Sequence, residues 1–516
     1  MEQRSGADAL VFRRGSAGQP SANLSVAIAG LVVTSLAINL VLHLTARTGG
    51  ETVWMHVGRF LHSVQGADSW KAMEIARSYS RAHPGGLYEQ VFFIDGIKYQ
   101  YPPTALLLFG SLERPALKLI SWIATLVTTV LVALILRVAV ASAWGERQRT
   151  AQATLALETM AVIAALTFYP FIKAYSLGQI QAWLNLLFTV VVLAWMRGAR
   201  GLAGAAVALM CLIKPTYALL YVWGALRREW RFVTIGLTAI GCGLALSLWR
   251  YGLHDHLEYL KVLAFIGRRG EAFYANQSIN GALNRLLFNG SNLEWRDHEF
   301  APAHPVVYAG TMAAFALLMV ASLRRPTRDA GGTLDLSLAT LAATMSSPVA
   351  WEHHYGVLLP IYAATAPVLI VRHPFGRWTG VAIGGTYLAA ANYFQFTNHA
   401  ADSWLNPVQS YLLGASLIVW MLLYRALHRQ PRSGRASVSG EDRLRPAPGE
   451  RHRRISLLHP ALLHAWRAHG HAGDADAGNR RLFAKQALNV LRRHVPLDDV
   501  LADPGGVTGL QVGRHT

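Results

Sequence analysis

Long apolar stretches, separated by two kinds of polar connection, make up the chain between residues 24 and 424. A helix needs about 20 apolar residues to cross a bilayer, and in lipid such stretches can only be helices. The stretches that approach this length are 24–44, 117–141, 155–172, 232–249, 306–323, 334–349, 356–371, 378–394 and 408–424, with 180–196 a little shorter. The pattern predicts an all-α polytopic membrane protein with about 10–12 transmembrane helices.

Two further apolar segments are too short to cross a bilayer as single helices. Residues 202–226 are interrupted by Lys214-Pro215, and a proline inside a helix breaks it. Residues 102–111 follow Pro102-Pro103, and a proline disfavours helix at the residue before it. We expect both segments to be short re-entrant or interfacial elements, in a protein whose long loops lie on the outer side.

The distribution of arginine predicts the orientation in the membrane. Arginine is concentrated in the connections near residues 147, 197, 227, 324 and 372, and basic residues collect on the cytoplasmic side. Arg13 and Arg14 place the N-terminal segment, residues 1–23, in the cytoplasm, and the apolar stretch after it is expected to be a retained helix. The transmembrane domain is expected at 24–424, followed by a basic, disordered cytoplasmic tail at 425–516. The expected location is the plasma membrane, with both termini inside and the active site outside.

Composition narrows the function further. Only 15% of the residues are charged, which suits a membrane protein whose main partner is the lipid bilayer. The net charge of +19 would also suit a nucleic-acid partner. However, the basic residues flank the apolar stretches and crowd the tail, so no nucleic-acid partner is expected. Cys211 and Cys242 lie in apolar stretches, and neither a disulfide framework nor a metal site follows from them.

The first outer loop, about 55 residues long, far exceeds ordinary connections, and long ordered loops tend to be functional. It contains Asp68 at the start of a helical pattern and Tyr101 before the proline pair. A carboxylate at that position suits the N-cap of a helix. The same carboxylate, facing an acceptor, is able to take the proton of a hydroxyl group. The two roles are not exclusive.

Polar groups at the ends of later apolar stretches supply further candidates. Gln179 lies just before the stretch at 180–196, where it serves either as an ordinary capping group or as a ligand of sugar hydroxyls or an anion. Lys214 lies between two apolar arms, and a charge at membrane depth requires an anion, water or the interface. A phosphate would satisfy it, and snorkelling to the interface is the alternative.

Two polar runs complete the outer side. The first contains Asn276, Gln277 and, further on, Arg285, and it suits either a binding segment or a capped, solvated loop. The second is the run from Trp351 to His354, whose alternative role is packing at the interface belt. No metal is expected at the histidine pair, because the HxxxH and HExxH spacings are absent.

Taken together, these segments resemble glycosyltransferase family 87, the polyprenol-phosphate-mannose-dependent mannosyltransferases of the GT-C superfamily. The resemblance runs from about residue 24 to residue 424. It rests on the order and spacing of six motifs: Asp68 after the first helix, Tyr101-Pro102-Pro103, Gly178-Gln179, Lys214-Pro215, Asn276-Gln277-Ser278, and Ser347-Pro348-Val-Ala-Trp351-Glu352-His353-His354.

The resemblance implies a GT-C-like bundle and transfer of a hexose, with mannose expected, from a polyprenyl-phosphate donor to a glycolipid or glycan, with inversion. Asp68 would be the catalytic base. The expected donor and phosphate ligands are Lys214, Arg285, His353 and His354. The expected substrate-binding residues are Tyr101, Gln179, Asn276, Gln277, Trp351 and Glu352. No cofactor is expected, because the lipid-linked sugar is itself a substrate.

Two other readings of the sequence remain open. A secondary transporter also contains broken helices, as at Lys214-Pro215, although transporters usually show internal repeats and midplane sites. An O-antigen ligase or polymerase also acts on lipid-linked sugars, but its long outer loop lies late in the chain. The acceptor and the linkage do not follow from the sequence.

Overall fold

The computed structural model of the protein describes residues 20–46, 50–144 and 151–428, with side chains from Val26 onward. Within these ranges the structure is helical, and the only extended pairing is an isolated bridge between Asn276 and Trp351. The helices are α1 Pro20–Thr45, α2 Val53–Leu61, α3 Asp68–Ala82, α4 Pro103–Phe109, α5 Arg114–Trp144, α6 Ala151–Leu166, α7 Tyr169–Leu177, α8 Gln181–Met196, α9 Arg200–Ile213, α10 Leu219–Leu226, α11 Trp230–Arg269, α12 Ile279–Leu286, α13 Pro305–Leu323, α14 Thr333–Met345, α15 Leu358–Arg372, α16 Trp378–Ala391 and α17 Tyr411–His428.

Shorter turns complete the described chain. A π-helical turn lies at Glu89–Ile94, and 3₁₀ turns lie at Pro215–Ala218, Glu352–Val357, Gln395–Ala400 and Asn406–Ser410. Most of the expected N-terminal segment and tail, and the arginine-rich connection at 145–150, lie outside the described residues.

Six described segments are long and apolar enough to cross a membrane. They comprise α1, α5, α11, α13, and the helical segments Glu352–Arg372 and Asn406–His428. A seventh span is possible where α6 and α7 form a pair bent by 53°, and α8, α9 and α14 are shorter apolar helices. The prediction of an all-α polytopic membrane protein is therefore confirmed, while the exact number of spans and their orientation remain predictions.

The bend between α6 and α7 was not predicted, because the apolar stretch 155–172 continues through it. The helix ends at Leu166 and restarts at Tyr169, with Pro170 in its first turn. Proline has no amide hydrogen and its ring clashes with the preceding helical turn, so it is favoured in the first turn of a helix, where no amide hydrogen is needed. The break turns α7 inward, and its residues from Tyr169 to Ser176 are buried.

Helix α11 also differs from the prediction, because it continues through charged sequence to Arg269. Its 40 residues would extend about 60 Å, roughly twice the thickness of a hydrocarbon core. Gly252 divides it, with φ 76° and ψ 166°, a conformation that glycine adopts readily. The first arm, residues 230–251, matches the predicted span. In the second arm, Asp255 and Glu258 are buried and accept hydrogen bonds from backbone amides at 87–89.

The predicted break at Lys214-Pro215 is present. Helix α9 ends at Ile213, Lys214 is extended with φ −141° and ψ 99°, and Pro215 opens a 3₁₀ turn that leads into α10. The short helix α4 begins at Pro103, directly after an extended Pro102. In the centre of the molecule, α14 is buried along nearly all its length and packs against α13 and α17. The polar groups described below lie around this buried core.

Candidate active site

The backbone around Asp68 lies directly against the turn between α7 and α8. The Gly66 amide donates to the Ser176 carbonyl at 2.9 Å, and the Ser69 amide donates to the Gly178 carbonyl at 3.2 Å. Gly178 has φ 75°, and a Cβ atom there would lie 2.3 Å from the carbonyl oxygen of Gly66. A glycine is therefore needed at this position, both for its backbone angle and for the close approach of two chains.

The carboxylate of Asp68 is held by Gln179. The amide nitrogen of Gln179 donates to Asp68 Oδ2, and its Oε1 accepts from the Ser69 hydroxyl at 2.6 Å. The Ser69 hydroxyl is also 2.8 Å from the hydroxyl of Tyr101 and accepts from the Ile180 amide at 3.2 Å. This network orients Gln179, and Gln179 in turn orients Asp68. Three predicted site residues, Asp68, Tyr101 and Gln179, are thus brought together.

Asp68 does not act as the side-chain cap that the sequence allowed. It is the first residue of α3, and Ala67 occupies the N-cap position without a side-chain hydrogen bond. The Asp68 side chain is exposed, so a substrate is able to reach it. The protein packed around the carboxylate nevertheless raises its pKa, with a further increase from Asp297, while the Gln179 hydrogen bond and Lys173 lower it. A raised pKa makes this carboxylate a better proton acceptor than an ordinary aspartate.

Lys214 contacts His354. Its Nζ lies 3.1 Å from His354 Nδ1, which also accepts a hydrogen bond from the Trp351 amide at 3.1 Å. Because Nδ1 is an acceptor, we place the proton of the neutral ring on Nε2, where it is available as a donor. Among the described residues, no carboxylate lies within 4.0 Å of Lys214 Nζ. A partly buried ammonium without a counter-ion favours an anionic ligand.

Helix α8 connects the surroundings of Asp68 with those of Lys214. Two residues after Gln179, the side chain of Gln181 lies against the hydroxyl of Tyr217, in the turn that follows Lys214. Gln181 also donates to Asn185 at 3.0 Å. The Oε1 atom of Gln181 and the Nδ2 atom of Asn185 are buried without a protein partner. The start of α8 therefore contains buried polar atoms without a protein partner, and it follows Gln179 closely in the chain.

Glu352 belongs to a buried cluster of charges. Its Oε2 accepts from Lys173 Nζ at 2.8 Å and from the Tyr169 hydroxyl at 2.9 Å. Lys173 also contacts Glu51 at 2.6 Å, and Glu51 lies 2.8 Å from His56 Nε2. Sequence reasoning missed Lys173, Tyr169, Glu51 and His56. A lysine at the end of an apolar stretch is the signal that would have found the first of them, because such a charge requires a partner.

His353 is buried next to this cluster. Its ring lies 4.8 Å from that of His354, and its Nε2 has no protein partner. In the chain it lies between Glu352, which binds Lys173, and His354, which meets Lys214.

Asn276 and Gln277 are fully buried, so the expectation of a solvated loop as their alternative role is wrong. The Asn276 side chain donates to the Glu271 carbonyl at 2.8 Å and accepts from the Ala350 amide at 2.9 Å. The Gln277 amide donates to the Ala350 carbonyl at 2.8 Å. The Glu352 amide donates to the carbonyl of residue 275 at 2.9 Å. These bonds fasten the segment 271–280 to the segment 348–352.

Trp351 and Arg285 make further contacts around these two segments. The Trp351 ring packs on Trp295 at 5.1 Å. Arg285 is 1% exposed and donates to the Asn276 carbonyl at 2.9 Å and to the Ser410 hydroxyl at 2.7 Å. Its contacts favour a role in holding the fold, and donor binding by Arg285 stays a prediction.

A possible metal-binding group lies elsewhere. His254, Asp255 and Glu258 place ligand atoms within 4.8 Å of one another on the second arm of α11. However, both carboxylates already accept backbone hydrogen bonds from residues 87–89. This use as caps of the π-helical turn explains their burial.

Comparison with known proteins shows which family this chain is similar to. The sequence profile described as glycosyltransferase family 87 matches residues 99–348. The polyprenol-phosphate-mannose-dependent alpha-(1-2)-phosphatidylinositol mannoside mannosyltransferase of Mycobacterium tuberculosis is 28% identical over 277 residues, which are 51% of this chain and 61% of that protein. The match therefore spans less than two thirds of that relative's length. The motifs on a polytopic helical frame and the profile match over residues 99–348 both support the resemblance of this chain to glycosyltransferase family 87.

Proposed function

We propose that this protein transfers mannose from a polyprenyl-phosphate donor to a hydroxyl group of a glycolipid or glycan, with inversion, on the extracytoplasmic face of the plasma membrane. The match to the family profile and the name of the mycobacterial relative support the reaction class and the donor. The profile match also favours transfer over the transporter and ligase readings.

The observation that carries the proposal is a pair of groups joined by helix α8. One is an accessible carboxylate, Asp68, fixed by Gln179. The other is Lys214, an ammonium that touches His354 and has no carboxylate partner among the described residues. At the start of α8, Gln181 and Asn185 have buried polar atoms without protein partners. Sugar hydroxyl groups would supply the missing hydrogen bonds.

The reaction follows from the chemistry of these groups. Asp68 accepts the proton of the acceptor hydroxyl while that oxygen attacks the anomeric carbon of the donor. The bond between the anomeric carbon and the phosphate oxygen breaks, and its electron pair leaves with the polyprenyl phosphate. Lys214 and the Nε2 hydrogen of His354 stabilise the negative charge that accumulates there. Attack opposite the leaving group inverts the anomeric centre.

The role of Asp68 is tested with the purified full chain in lipid nanodiscs, a short-chain mannosyl-phosphoryl-polyprenol and glycolipids extracted from the native membrane. Asp68→Asn removes the base and keeps its size, and turnover should fall on the order of 100-fold or more. Asp95→Asn is the matched control, because Asp95 is exposed in the same loop and is also paired with a glutamine, Gln90 at 2.8 Å. Normal turnover in Asp68→Asn, or equal losses in both variants, would contradict the assignment.

The role of Lys214 is tested by the donor KM. Lys214→Gln should raise the KM for the donor more than that for the acceptor, because only the donor contains the contacted phosphate. Lys214→Arg should retain part of the activity, since the charge survives with altered geometry. Lys71→Gln is the control, as Lys71 is exposed in the same helix as Asp68. An unchanged donor KM in Lys214→Gln would favour snorkelling.

The specificity for mannose is tested by replacing the donor with its glucosyl counterpart. Equal transfer from a glucosyl donor would contradict the specificity for mannose.

The proposed side of the membrane is tested by thiol labelling of intact cells in a Cys242→Ser background, because Cys242 is exposed whereas Cys211 is buried. A cysteine at Ser63 should react with a membrane-impermeant reagent, and one at Thr327 should not. Labelling at Thr327 from outside would overturn the topology.

A further inference from the structure

A cavity of about 260 Å³ lies where α3, α4 and the first arm of α11 meet. Its lining comprises Arg77, Ser80, Arg81, Leu106, Leu107, Gly110, Ser111, Leu246, Trp249, Arg250 and Tyr251. None of the residues placed in the proposed reaction lines it. Arg77 comes nine residues after Asp68 in α3, which corresponds to about 14 Å along the helix axis.

The cavity has a strongly positive lining. It contains three guanidinium groups, from Arg77, Arg81 and Arg250, and no acidic side chain among the described residues that line it. A carboxylate close to Arg77 in sequence is Glu74, one turn earlier in α3. Glu74 is already bound to Arg114 by two hydrogen bonds of 3.0 and 2.5 Å. Among the described residues, none of the three cavity arginines forms an ion pair within 4.0 Å, so an external anion would find them available.

Two hydrogen-bond donors of the cavity are buried without a protein partner. They are the Nε of Arg77 and the hydroxyl of Ser80. Arg77 and Arg81 each use one other nitrogen to donate to a carbonyl, at Leu112 and Gly110, with distances of 2.9 and 3.0 Å. These bonds hold the guanidinium groups in place while leaving donors for a ligand. Phosphate oxygens match such planar donor groups in geometry and charge.

The opposite wall of the cavity is apolar and faces outward. Leu246 and Trp249 are 50% and 81% exposed, and both belong to a candidate membrane span. A tryptophan and arginines at the end of a span are typical of the boundary between headgroups and acyl chains. A ligand that fills this cavity therefore combines an anionic group with an apolar chain.

We infer that this cavity binds the headgroup phosphate of an anionic membrane phospholipid, whose acyl chains run along the first arm of α11. The inference does not depend on the proposed reaction, because the cavity shares no residue with it. Arg77, Arg250 and the Ser80 hydroxyl contact the phosphate oxygens, and Leu246 contacts the start of the acyl chains.

The test uses the delipidated full chain in detergent, titrated with phosphatidylglycerol or phosphatidylcholine and followed by native mass spectrometry. Arg250→Gln is the primary variant, because Arg250 is exposed and contacts only the Tyr251 ring among the described interactions, at 5.4 Å. Its affinity for phosphatidylglycerol should fall at least about fivefold, as expected for one basic residue near a lipid phosphate. Arg268 is exposed at the C-terminal end of α11, far along the helix from Arg250. The control variant Arg268→Gln should bind phosphatidylglycerol as the native protein does.

Ser80→Ala provides a second variant that leaves the fold intact, since the hydroxyl has no protein partner. It should weaken phosphatidylglycerol binding without changing the melting temperature. Unchanged affinity in Arg250→Gln, or equal binding of the zwitterionic lipid, would overturn the inference. Inorganic phosphate at millimolar concentration should not displace the lipid. Complete displacement would identify a site for free phosphate and overturn the assignment to a lipid.

Discussion

The buried charge cluster around Lys173 leads to a sharp prediction about stability. Lys173 is the only described cation that forms ion pairs with both Glu51 and Glu352, at 2.6 and 2.8 Å. The Tyr169 hydroxyl lies within 3.3 Å of an oxygen of each carboxylate, so the two acids are close together. Lys173→Met keeps most of the volume of the side chain but leaves these carboxylates facing each other without the lysine.

The expected magnitude follows from burial. The Lys173 and Glu352 side chains are only 7% and 1% exposed, so water cannot solvate the Glu352 carboxylate once the lysine is removed. Breaking a buried ion pair by removing one partner destabilises a protein by about 3–5 kcal/mol. That is a large part of the about 5–15 kcal/mol that separates folded from unfolded proteins. Glu352→Gln added to Lys173→Met removes the unpaired charge and should restore more than half of the loss.

Thermal unfolding of the protein in detergent measures this effect through the fluorescence of its 15 tryptophans. Lys173→Met should melt well below the native protein, and the double variant should melt at an intermediate temperature. Lys71→Met, at an exposed lysine, is the control. If Lys173→Met melted with the control, or if Glu352→Gln gave no recovery, the ion pairs would not stabilise the fold in the way argued here.

Two further predictions concern the surroundings of Asp68. The protein packed around the Asp68 carboxylate raises its pKa, and the base works only when deprotonated, so activity should decline with falling pH at a higher pH than for a solvated aspartate. Gln179→Ala removes a hydrogen bond that lowers this pKa, so the acid limb of the kcat/KM profile should move to higher pH; an unmoved limb would exclude Asp68 as the titrating group. Gly178→Ala should reduce turnover and stability, because its Cβ meets the Gly66 carbonyl, whereas Gly198→Ala has a similar φ of 74° and open space. Similar losses in both glycine variants would show that the backbone angle, and not the close approach, is the cause.

The positions of the helices were largely predictable from hydropathy, because lipid leaves an apolar stretch no other structure. The break at Lys214-Pro215 was equally visible, since proline acts locally on the backbone. The extension of α11 beyond Gly252 was not predictable from the sequence. Its second arm contains Asp255 and Glu258, which would normally indicate solvent. Their buried partners are backbone amides about 170 residues earlier, which no local pattern reveals.

In the candidate site, too, local sequence features were predictable, and contacts with distant parts of the chain were not. Asp68, Tyr101 and Gln179 were expected on one side of the membrane, and the structure adds that a single hydrogen-bond network joins them. The burial of Asn276 was missed, because a polar run resembles a solvated loop unless its distant partner is known. That partner is the backbone of residue 350, 74 residues later.

The segment 348–357 explains how these parts act together. Its backbone is paired with residues 275–277, and the Glu352 side chain binds Lys173 on α7. Two residues further on, His354 meets Lys214. Residues of this one short segment take part in the backbone pairing with 275–277, in the ion-pair cluster and in the candidate phosphate site. A shift of any one of these parts would therefore displace the others. Sites of this kind gain from rigid support, since charge stabilisation depends on groups that are already oriented before the substrate binds. The buried polar groups of this protein are therefore best understood as the frame that holds Lys214 and His354 in position.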